Sequence, residues 1–152
     1  EIVFKLGREL SGEISLSEAS NYISEIAPGI EIFDCRYGAI DPFIDDAIAD
    51  NACAGAYAIG NWVKNENIDF AKVSVSIIFN EQEQERVLAT NVAGNPWQAV
   101  VNASIKLAET GVTLPAGSII FSGSATQGTA MQTGKYCVKI SSFGQVTLDA
   151  IN

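Results

Sequence analysis

Two glutamates in strand-like segments are the residues best suited to bind a divalent cation. Glu1 opens the alternating segment EIVFKLGREL, and Glu31 lies within GIEIFDCR. If GIEIFDCR is a strand, Glu31 shares a face with Phe33 and Cys35, whose residue types are commonly buried. A buried carboxylate without a partner costs several kcal/mol, so it must be protonated, ion-paired or bound to a cation. Mg²⁺ and Mn²⁺ prefer such hard oxygen ligands, and a salt bridge from Glu31 to Arg36 or to a lysine is the structural alternative.

The chain contains no histidine, and this absence narrows the chemistry that its own residues can perform. It excludes Ser-His-Asp catalysis, Cys-His catalysis and zinc sites with histidine ligands within this chain. An acid–base step must therefore use Asp, Glu, Lys, Tyr, Cys or water bound to a metal ion.

The three cysteines and one glycine-rich segment are weaker candidates for a functional site. Cys35, Cys53 and Cys137 are expected to be buried structural thiols, although Cys53, in a run of small residues, could line a pocket. The run GSATQGTAMQTGK, residues 123–135, does not match a phosphate-binding loop and precedes a strand-like segment rather than a helix. We interpret it as a loop between strands, in which Gly123 allows the backbone to approach a ligand closely.

Composition and charge indicate a globular domain that does not bind polyanions. Of the 152 residues, 47% are hydrophobic and 18% are charged, which favours a globular chain over a disordered one. The formal net charge of −9 argues against nucleic acid and anionic membranes as partners, because both require a basic surface.

No apolar run approaches the ~20 residues of a membrane span, and an odd number of cysteines without CxxC spacing favours the cytoplasm. Because the first residue is Glu rather than Met, we expect the chain to begin within a longer gene product.

Hydrophobic periodicity and capping residues predict a mostly β chain with two main helices. Strands are predicted over residues 1–10, 29–36, 72–79, a following run that completes a hairpin, 118–121, 136–140 and 145–148. Helices are predicted over residues 15–27, ended by Pro28-Gly29, and 95–111, with Asn95 as N-cap and Gly111 as the stop. A short helix is predicted over 41–50, with Pro42 in its first turn, and residues 52–60 are predicted to be a closely packed buried segment. Because strands and helices do not alternate regularly, we expect one α+β domain rather than a doubly wound sheet.

Several segments together resemble the hydratase/decarboxylase branch of the fumarylacetoacetate hydrolase superfamily. The resemblance runs in order along nearly the whole chain, through EIVFKLGREL, PGIEIFDCR, DDAIADNACAGAYAIG, GNPWQAVVNASIKLAETGVTLPAGSIIFSGS and GQVTLDA. It implies an α+β fold that is mostly β, a mixed β-roll or sandwich with a few flanking helices. It also implies that residues 1–152 are the C-terminal catalytic part of a longer protein, which is expected to form a homo-oligomer.

The resemblance implies a Mg²⁺ or Mn²⁺ site and identifies two of its ligands in this chain. Glu1 matches the second member of the family's Glu-x-Glu pair of metal ligands, and Glu31 matches the third ligand. The first ligand would lie two positions before Glu1, and the lysine-bearing region of the substrate site would lie further upstream. The resemblance therefore assigns metal ligands here but no residue that carries out the catalytic step.

Four further residues match positions of the family's substrate pocket, namely Arg36, Asp50, Asn51 and Cys53. The family often has Ser where this chain has Cys53, and a thiol is a weaker hydrogen-bonding group than a hydroxyl. An ion pair between Arg36 and Asp50 with a purely structural role is the alternative for those two residues.

The implied function is that of a metal-dependent lyase acting on small 2-oxo or 2-hydroxydienoic acids from aromatic ring cleavage. The ion would chelate the 1-carboxylate and the 2-oxo group and act as a Lewis acid. Hydration of 2-keto-4-pentenoate is the first expectation, and decarboxylation of 2-oxo-3-hexenedioate (4-oxalocrotonate) is the alternative. A carbon–carbon hydrolase of the acylpyruvate type and a non-catalytic or truncated relative also remain, and the lack of histidine counts against the hydrolase.

Overall fold

Two antiparallel sheets form the body of the domain in the computed structural model, which describes residues 1–38, 43–66 and 68–151. The first sheet contains β1 (Ile2–Leu6), β2 (Ile23–Phe33), β3 (Ala54–Ile59), β4 (Val63–Lys64) and β7 (Ile119–Phe121). The second sheet contains β5 (Ser74–Phe79), β6 (Gln82–Leu88), β8 (Gly134–Ile140) and β9 (Gly144–Ala150). The α-helices within the described residues are α1 (Leu16–Ala19), α2 (Ile44–Ala49) and α3 (Gln98–Thr110). The expectation of a mostly β, α+β fold with a few helices is therefore confirmed.

Strand pairing places β1 at the centre of the first sheet. The strand order is β3-β2-β1-β7, with β4 paired to one end of β2, and in the second sheet it is β6-β5-β8-β9. The long strand β2 also contacts β8 and β9, so it joins the two sheets. None of the helices among the described residues is both long and apolar enough to span a membrane.

The core is built around the aromatic side chain of Phe4 on β1. Phe4 is fully buried and stacks on Trp97 with ring centroids 4.8 Å apart, and Phe70 meets both rings edge-on. Val100 and Val101 on α3 are buried in the same cluster. Aromatic stacking and apolar burial thus fix β1, the strand that follows Glu1.

The helix predicted over residues 15–27 is wrong for most of its length. The α-helical part is only α1, a 3₁₀ turn follows at Ser20–Tyr22, and β2 then runs from Ile23 through Pro28-Gly29. The register against β1 shifts between Lys5 and Leu6, so Ile23 and Ile26 are both buried although they are three residues apart. This bulge imitates a helical spacing, and the pairing with β1 decides the conformation.

Elements with strong local signals are confirmed. β5 and β6 form the predicted hairpin, and its turn residues Asn80 and Glu81 both have positive φ, 46° and 68°, as two-residue hairpin turns require. Helix α3 ends at Gly111, whose φ is 69°. At the other end the Asn95 side chain accepts a hydrogen bond from the Trp97 backbone N–H (3.1 Å), although the regular helix begins only at Gln98. The three short strands predicted near the C-terminus correspond to β7, β8 and β9.

Three other segment predictions need correction. The first predicted strand ends at Leu6 rather than Leu10, which makes only an isolated bridge to Leu114. The segment 52–60 is not a buried packing segment, because residues 55–57 of β3 are exposed. The short predicted helix corresponds to α2, whereas Asp41 and Pro42 lie outside the described residues.

Candidate functional site

The carboxylates of Glu1 and Glu31 lie together at one end of the first sheet. Ile2 pairs with Pro28, and Glu1 and Gly29 exchange backbone hydrogen bonds in both directions at 2.9 Å. Two residues further along β2, Glu31 is a diagonal cross-strand neighbour on the same face. Burial raises the pKa of the Glu1 carboxyl, and the charge and hydrogen bonding of Glu31 raise it further, against the opposing effects of the amino group and of Gly123.

Gly123 contributes a backbone donor to this carboxylate pair. Its N–H donates a hydrogen bond to Glu1 Oε2 (3.0 Å), and its φ is 90°, a conformation that favours glycine. The glycine-rich segment that follows connects β7 to β8 without a helix, so it is the inter-strand loop that the sequence predicts and not a phosphate-binding loop. The close backbone approach expected at Gly123 is directed at the side chain of a candidate metal ligand.

Glu31 is exposed, which corrects the expectation that it lies on a buried face. Phe33, on the same face of β2, is 59% exposed. Residues 29–33 of β2 pair with β3, and Glu31 lies opposite Tyr57 in that register. Glu31 therefore faces an open space rather than the core.

That space is a cavity of about 600 Å³ that Glu31 lines. Its other walls are Asn51, Tyr57, Ile119, Phe121 and the small residues 54–56. Tyr57 is the direct cross-strand partner of Glu31, and its ring meets that of Phe121 edge-on at 5.4 Å. Sequence reasoning missed Tyr57, Ile119 and Phe121, because only the pairing of β2 with β3 and of β1 with β7 brings them beside Glu31.

Arg36 is held by Asp50 and by backbone carbonyls. Its Nε and backbone N–H donate to the two Asp50 carboxylate oxygens, the latter at 2.9 Å, and its Nη1 and Nη2 donate to the carbonyls of Ala54 and Asp50. Burial opposes ionisation of Asp50, but the hydrogen bonds and charge of Arg36 outweigh it and hold the pKa of that carboxyl below its usual value. Arg36 does not pair with Glu31, so the salt bridge considered for Glu31 is absent among the described contacts of these two residues.

The turn before β3 has a strained backbone. Asn51, Ala52 and Cys53 have φ values of 54°, 55° and 60°, so three successive residues other than glycine adopt the left-handed region. Each such residue costs about 1–3 kcal/mol and persists only where surrounding structure enforces it. Here Asp50 and its contacts with Arg36 precede the turn, Asn51 lines the cavity, and Cys53 is fully buried.

A cluster of two thiols and one carboxylate lies at the turn before β3. The side-chain ligand atoms of Cys35, Asp50 and Cys53 all lie within 4.8 Å of one another. Burial raises the pKa of the Cys53 thiol to about 11, and its contacts with Cys35 and Asp50 raise it as well. The buried state predicted for Cys53 is confirmed, whereas Cys35 and Cys137 are partly exposed.

The arrangement of Glu1 and Glu31 fits a hard divalent cation. The negative charge of Glu31 raises the pKa of the Glu1 carboxyl, and a cation bound between the two carboxylates would remove this repulsion. Carboxylate oxygens with room for further ligands suit Mg²⁺ or Mn²⁺. The structure does not assign a comparable ligand-binding role to Arg36, Asp50 and Cys53, because these residues contact one another. Their roles in substrate binding stay predictions.

Comparison with known proteins identifies relatives over nearly the whole chain. A family model described as fumarylacetoacetate (FAA) hydrolase C-terminal matches residues 1–149. A 4-oxalocrotonate decarboxylase from a Pseudomonas species is 34% identical over 134 residues, 88% of this chain and 52% of that protein. A 2-oxo-hept-4-ene-1,7-dioate hydratase from Escherichia coli is 32% identical over 135 residues, 84% of this chain and 51% of that protein.

A solved structure has the same fold. The 4-oxalocrotonate decarboxylase from Pseudomonas putida G7, complexed with magnesium and adipate, matches with a TM-score of 0.89 at 26% identity, over 97% of this chain and 57% of that one. The chain thus spans about half the length of the relatives that it matches.

Proposed function

Because this chain belongs to the fumarylacetoacetate hydrolase C-terminal family, we propose that residues 1–152 are the catalytic part of a divalent-metal-dependent lyase acting on small 2-oxo acids. The observation that carries the proposal is the pair of carboxylates, Glu1 and Glu31, of which Glu31 lines a cavity of about 600 Å³. Cavities of roughly 300–1,000 Å³ are typical of small-molecule sites.

The residues around the carboxylate pair have complementary roles in this proposal. A divalent ion held by Glu1 and Glu31 would supply Lewis-acid polarisation of the substrate carboxylate and 2-oxo group. The Gly123 N–H orients the Glu1 carboxylate toward that position. The rings of Tyr57 and Phe121 provide an apolar wall for the hydrocarbon part of the substrate.

Arg36, Asp50 and Cys53 act mainly by positioning. The Arg36–Asp50 pair fixes the end of the strained turn, and this turn sets Asn51 at the cavity, where its amide can donate a hydrogen bond to a substrate oxygen. We assign Asn51 to substrate binding and Arg36, Asp50 and Cys53 to holding the turn. This assignment differs from direct contact of all four with substrate, which the family resemblance implies.

Two reactions fit the same site. The 34% identity to a 4-oxalocrotonate decarboxylase and the likeness to a decarboxylase structure with magnesium favour decarboxylation of 2-oxo-3-hexenedioate. The 32% identity to a hydratase favours the hydration reaction, of which 2-keto-4-pentenoate is the expected substrate from the sequence. Both reactions need a substrate whose carboxylate and adjacent oxo group bind the metal. The residues that contact the other end of the substrate therefore decide which reaction occurs.

The experiment measures metal binding and turnover together. Calorimetric titration with Mg²⁺ and with Mn²⁺ is combined with assays of both substrates, on the longer protein that contains this chain. Loss of a residue that only orients a metal ligand typically weakens metal binding about 10–100-fold. Glu31→Gln changes a proposed ligand itself, so we expect it to weaken metal binding by at least that factor. Glu13→Gln, which changes an exposed glutamate outside the site, is the matched control and should leave affinity unchanged.

Failure of the proposal would be unambiguous. If the protein converts neither substrate and Glu31→Gln binds Mg²⁺ as tightly as the wild type, the lyase assignment is wrong. The relative affinities for the two ions decide which metal the site prefers.

The same proposal includes the assembly and the location of the protein. The family resemblance supports a homo-oligomer, and the odd number of cysteines supports the cytoplasm. Sedimentation equilibrium of the longer protein tests the oligomer, and a strictly concentration-independent monomer would contradict it.

A further inference from the structure

The thiols of Cys35 and Cys53 are brought together by the end of the β2–β3 pairing. Phe33 pairs with Ala54, and beyond this pair the Asp34 N–H donates to the carbonyl oxygen of Cys53 at 2.8 Å. The two sulfur atoms lie within 4.8 Å of each other. Because backbone hydrogen bonds hold both segments, this proximity is a fixed property of the fold.

The two thiols differ in access to solvent. Cys53 is fully buried, whereas Cys35 is partly exposed. The resting Cys53 is a thiol, since burial and its neighbours Cys35 and Asp50 raise its pKa to about 11. An external reagent therefore reaches Cys35 first, and Cys53 is placed to react with whatever forms there.

A metal ion is the less suitable occupant of this cluster. Both carboxylate oxygens of Asp50 already accept hydrogen bonds from Arg36, one from the backbone N–H at 2.9 Å and one from Nε. The Arg36 guanidinium would repel a cation at the third ligand position. The cluster therefore offers two thiols in mutual reach but no free carboxylate.

We propose that Cys35 and Cys53 form a reversible intrachain disulfide when the protein meets a low-molecular-weight disulfide. The Cys35 thiolate attacks one sulfur of the reagent, whose S–S bond breaks, and the departing thiolate takes up the proton that Cys35 lost. Cys53 then loses its proton, and its thiolate attacks the Cys35 sulfur and displaces the second thiol, which takes up that proton. Two protein thiols are oxidised and one external disulfide is reduced to two thiols, while the partly exposed Cys35 side chain shifts to close the bond to about 2.05 Å.

The disulfide would change the support of the cavity wall. It removes the thiol that interacts with the Asp50 carboxylate and ties the strained turn of Asn51, Ala52 and Cys53 to the end of β2. Asn51, in this turn, and Glu31, on β2, both line the cavity. An effect on turnover rests on the proposed lyase function, whereas formation of the disulfide does not.

The test reads the covalent state of the cysteines and not enzyme activity. The reduced protein is incubated with oxidised glutathione, quenched with acid, alkylated and digested, and its peptides are identified by mass spectrometry. The expected result is a Cys35–Cys53 cross-linked peptide that dithiothreitol removes, with Cys137 alkylated. Cys137→Ser is the matched control and should give the same cross-link.

Single substitutions test the order of events. Cys53→Ser should accumulate a glutathione adduct on Cys35, because no second thiol displaces it. Cys35→Ser, at a partly exposed position, should leave Cys53 unmodified in the native protein. A stable glutathione adduct on Cys35 in the wild type beside a free Cys53, a cross-link that includes Cys137, or an adduct on Cys53 in Cys35→Ser would each overturn the proposal.

Turnover of the oxidised and reduced protein is a separate measurement. If the disulfide forms and no lyase activity exists, the modification stands and the proposed function fails. If the lyase is active and no disulfide forms, the proposed function stands and the disulfide proposal fails.

Discussion

Replacing Phe4 with Ala tests whether aromatic packing holds the strand that follows Glu1. Phe4 is fully buried on β1, stacks on Trp97 at 4.8 Å and contacts Phe70 edge-on at 6.1 Å. Truncation of a buried phenylalanine to Ala costs about 3–5 kcal/mol, through lost burial and the cavity left behind. A domain of this size has a free energy of unfolding of about 5–15 kcal/mol, so the variant should lose a large part of it.

The assay for Phe4→Ala is equilibrium unfolding in urea, with thermal unfolding as the second measurement. At roughly 2–4 °C per kcal/mol, the melting temperature should fall by roughly 6–20 °C. Phe43→Ala is the matched control, because Phe43 is 84% exposed and its truncation should cost about 0.5 kcal/mol or less. A loss below about 1 kcal/mol for Phe4→Ala, at an unchanged urea dependence, would refute the packing argument.

Three further predictions concern hydrogen bonding, pH and backbone conformation. Ser104→Ala removes the buried hydroxyl that accepts from the Ile14 N–H at 3.1 Å, and the unpaired donor should cost about 1–3 kcal/mol in urea unfolding; an unchanged midpoint would contradict this. The pKa of Asp50 is lowered by Arg36, so its stabilising contribution is complete above the unfolded-state value of about 3.9 and is lost as the pH falls through the lower folded-state pKa. The stability difference between wild type and Asp50→Asn should therefore be large at neutral pH and shrink on acidification below about pH 4, and a pH-independent difference would contradict the direction of the shift. Gly111→Ala should destabilise by about 1–2 kcal/mol in thermal unfolding through the positive φ of 69° alone, because a Cβ atom there meets open space; equal stability would contradict this.

Elements whose signals are local could be predicted from the sequence. The β5–β6 hairpin depends on alternating side chains and on Asn80 and Glu81 in its turn. Helix α3 depends on its apolar stripe and on the positive φ of Gly111. Each of these signals acts between residues close in the chain, so no distant partner is needed to read it.

Elements that depend on distant partners could not be predicted. Ile23 and Ile26 have a spacing typical of a helix, but pairing with β1 and the register shift at Lys5 and Leu6 make this segment a strand. Glu31 has the sequence neighbours of a buried residue, yet it is exposed beside Tyr57 of β3. In both cases contacts with segments distant in sequence decide burial, and local periodicity carries no information about those contacts.

The sequence by itself determined the family, the mostly β character, the absence of histidine chemistry from this chain and the choice of Glu1 and Glu31 as candidate ligands, because residue identity is enough for each. Only the tertiary structure decided that these two carboxylates meet beside Gly123, that Arg36 is engaged with Asp50, and that Cys35 and Cys53 lie within 4.8 Å. The physical reason is that antiparallel pairing brings together residues from separate strands. Which residues meet depends on register and on where each strand stops, and both are set by packing of the whole domain.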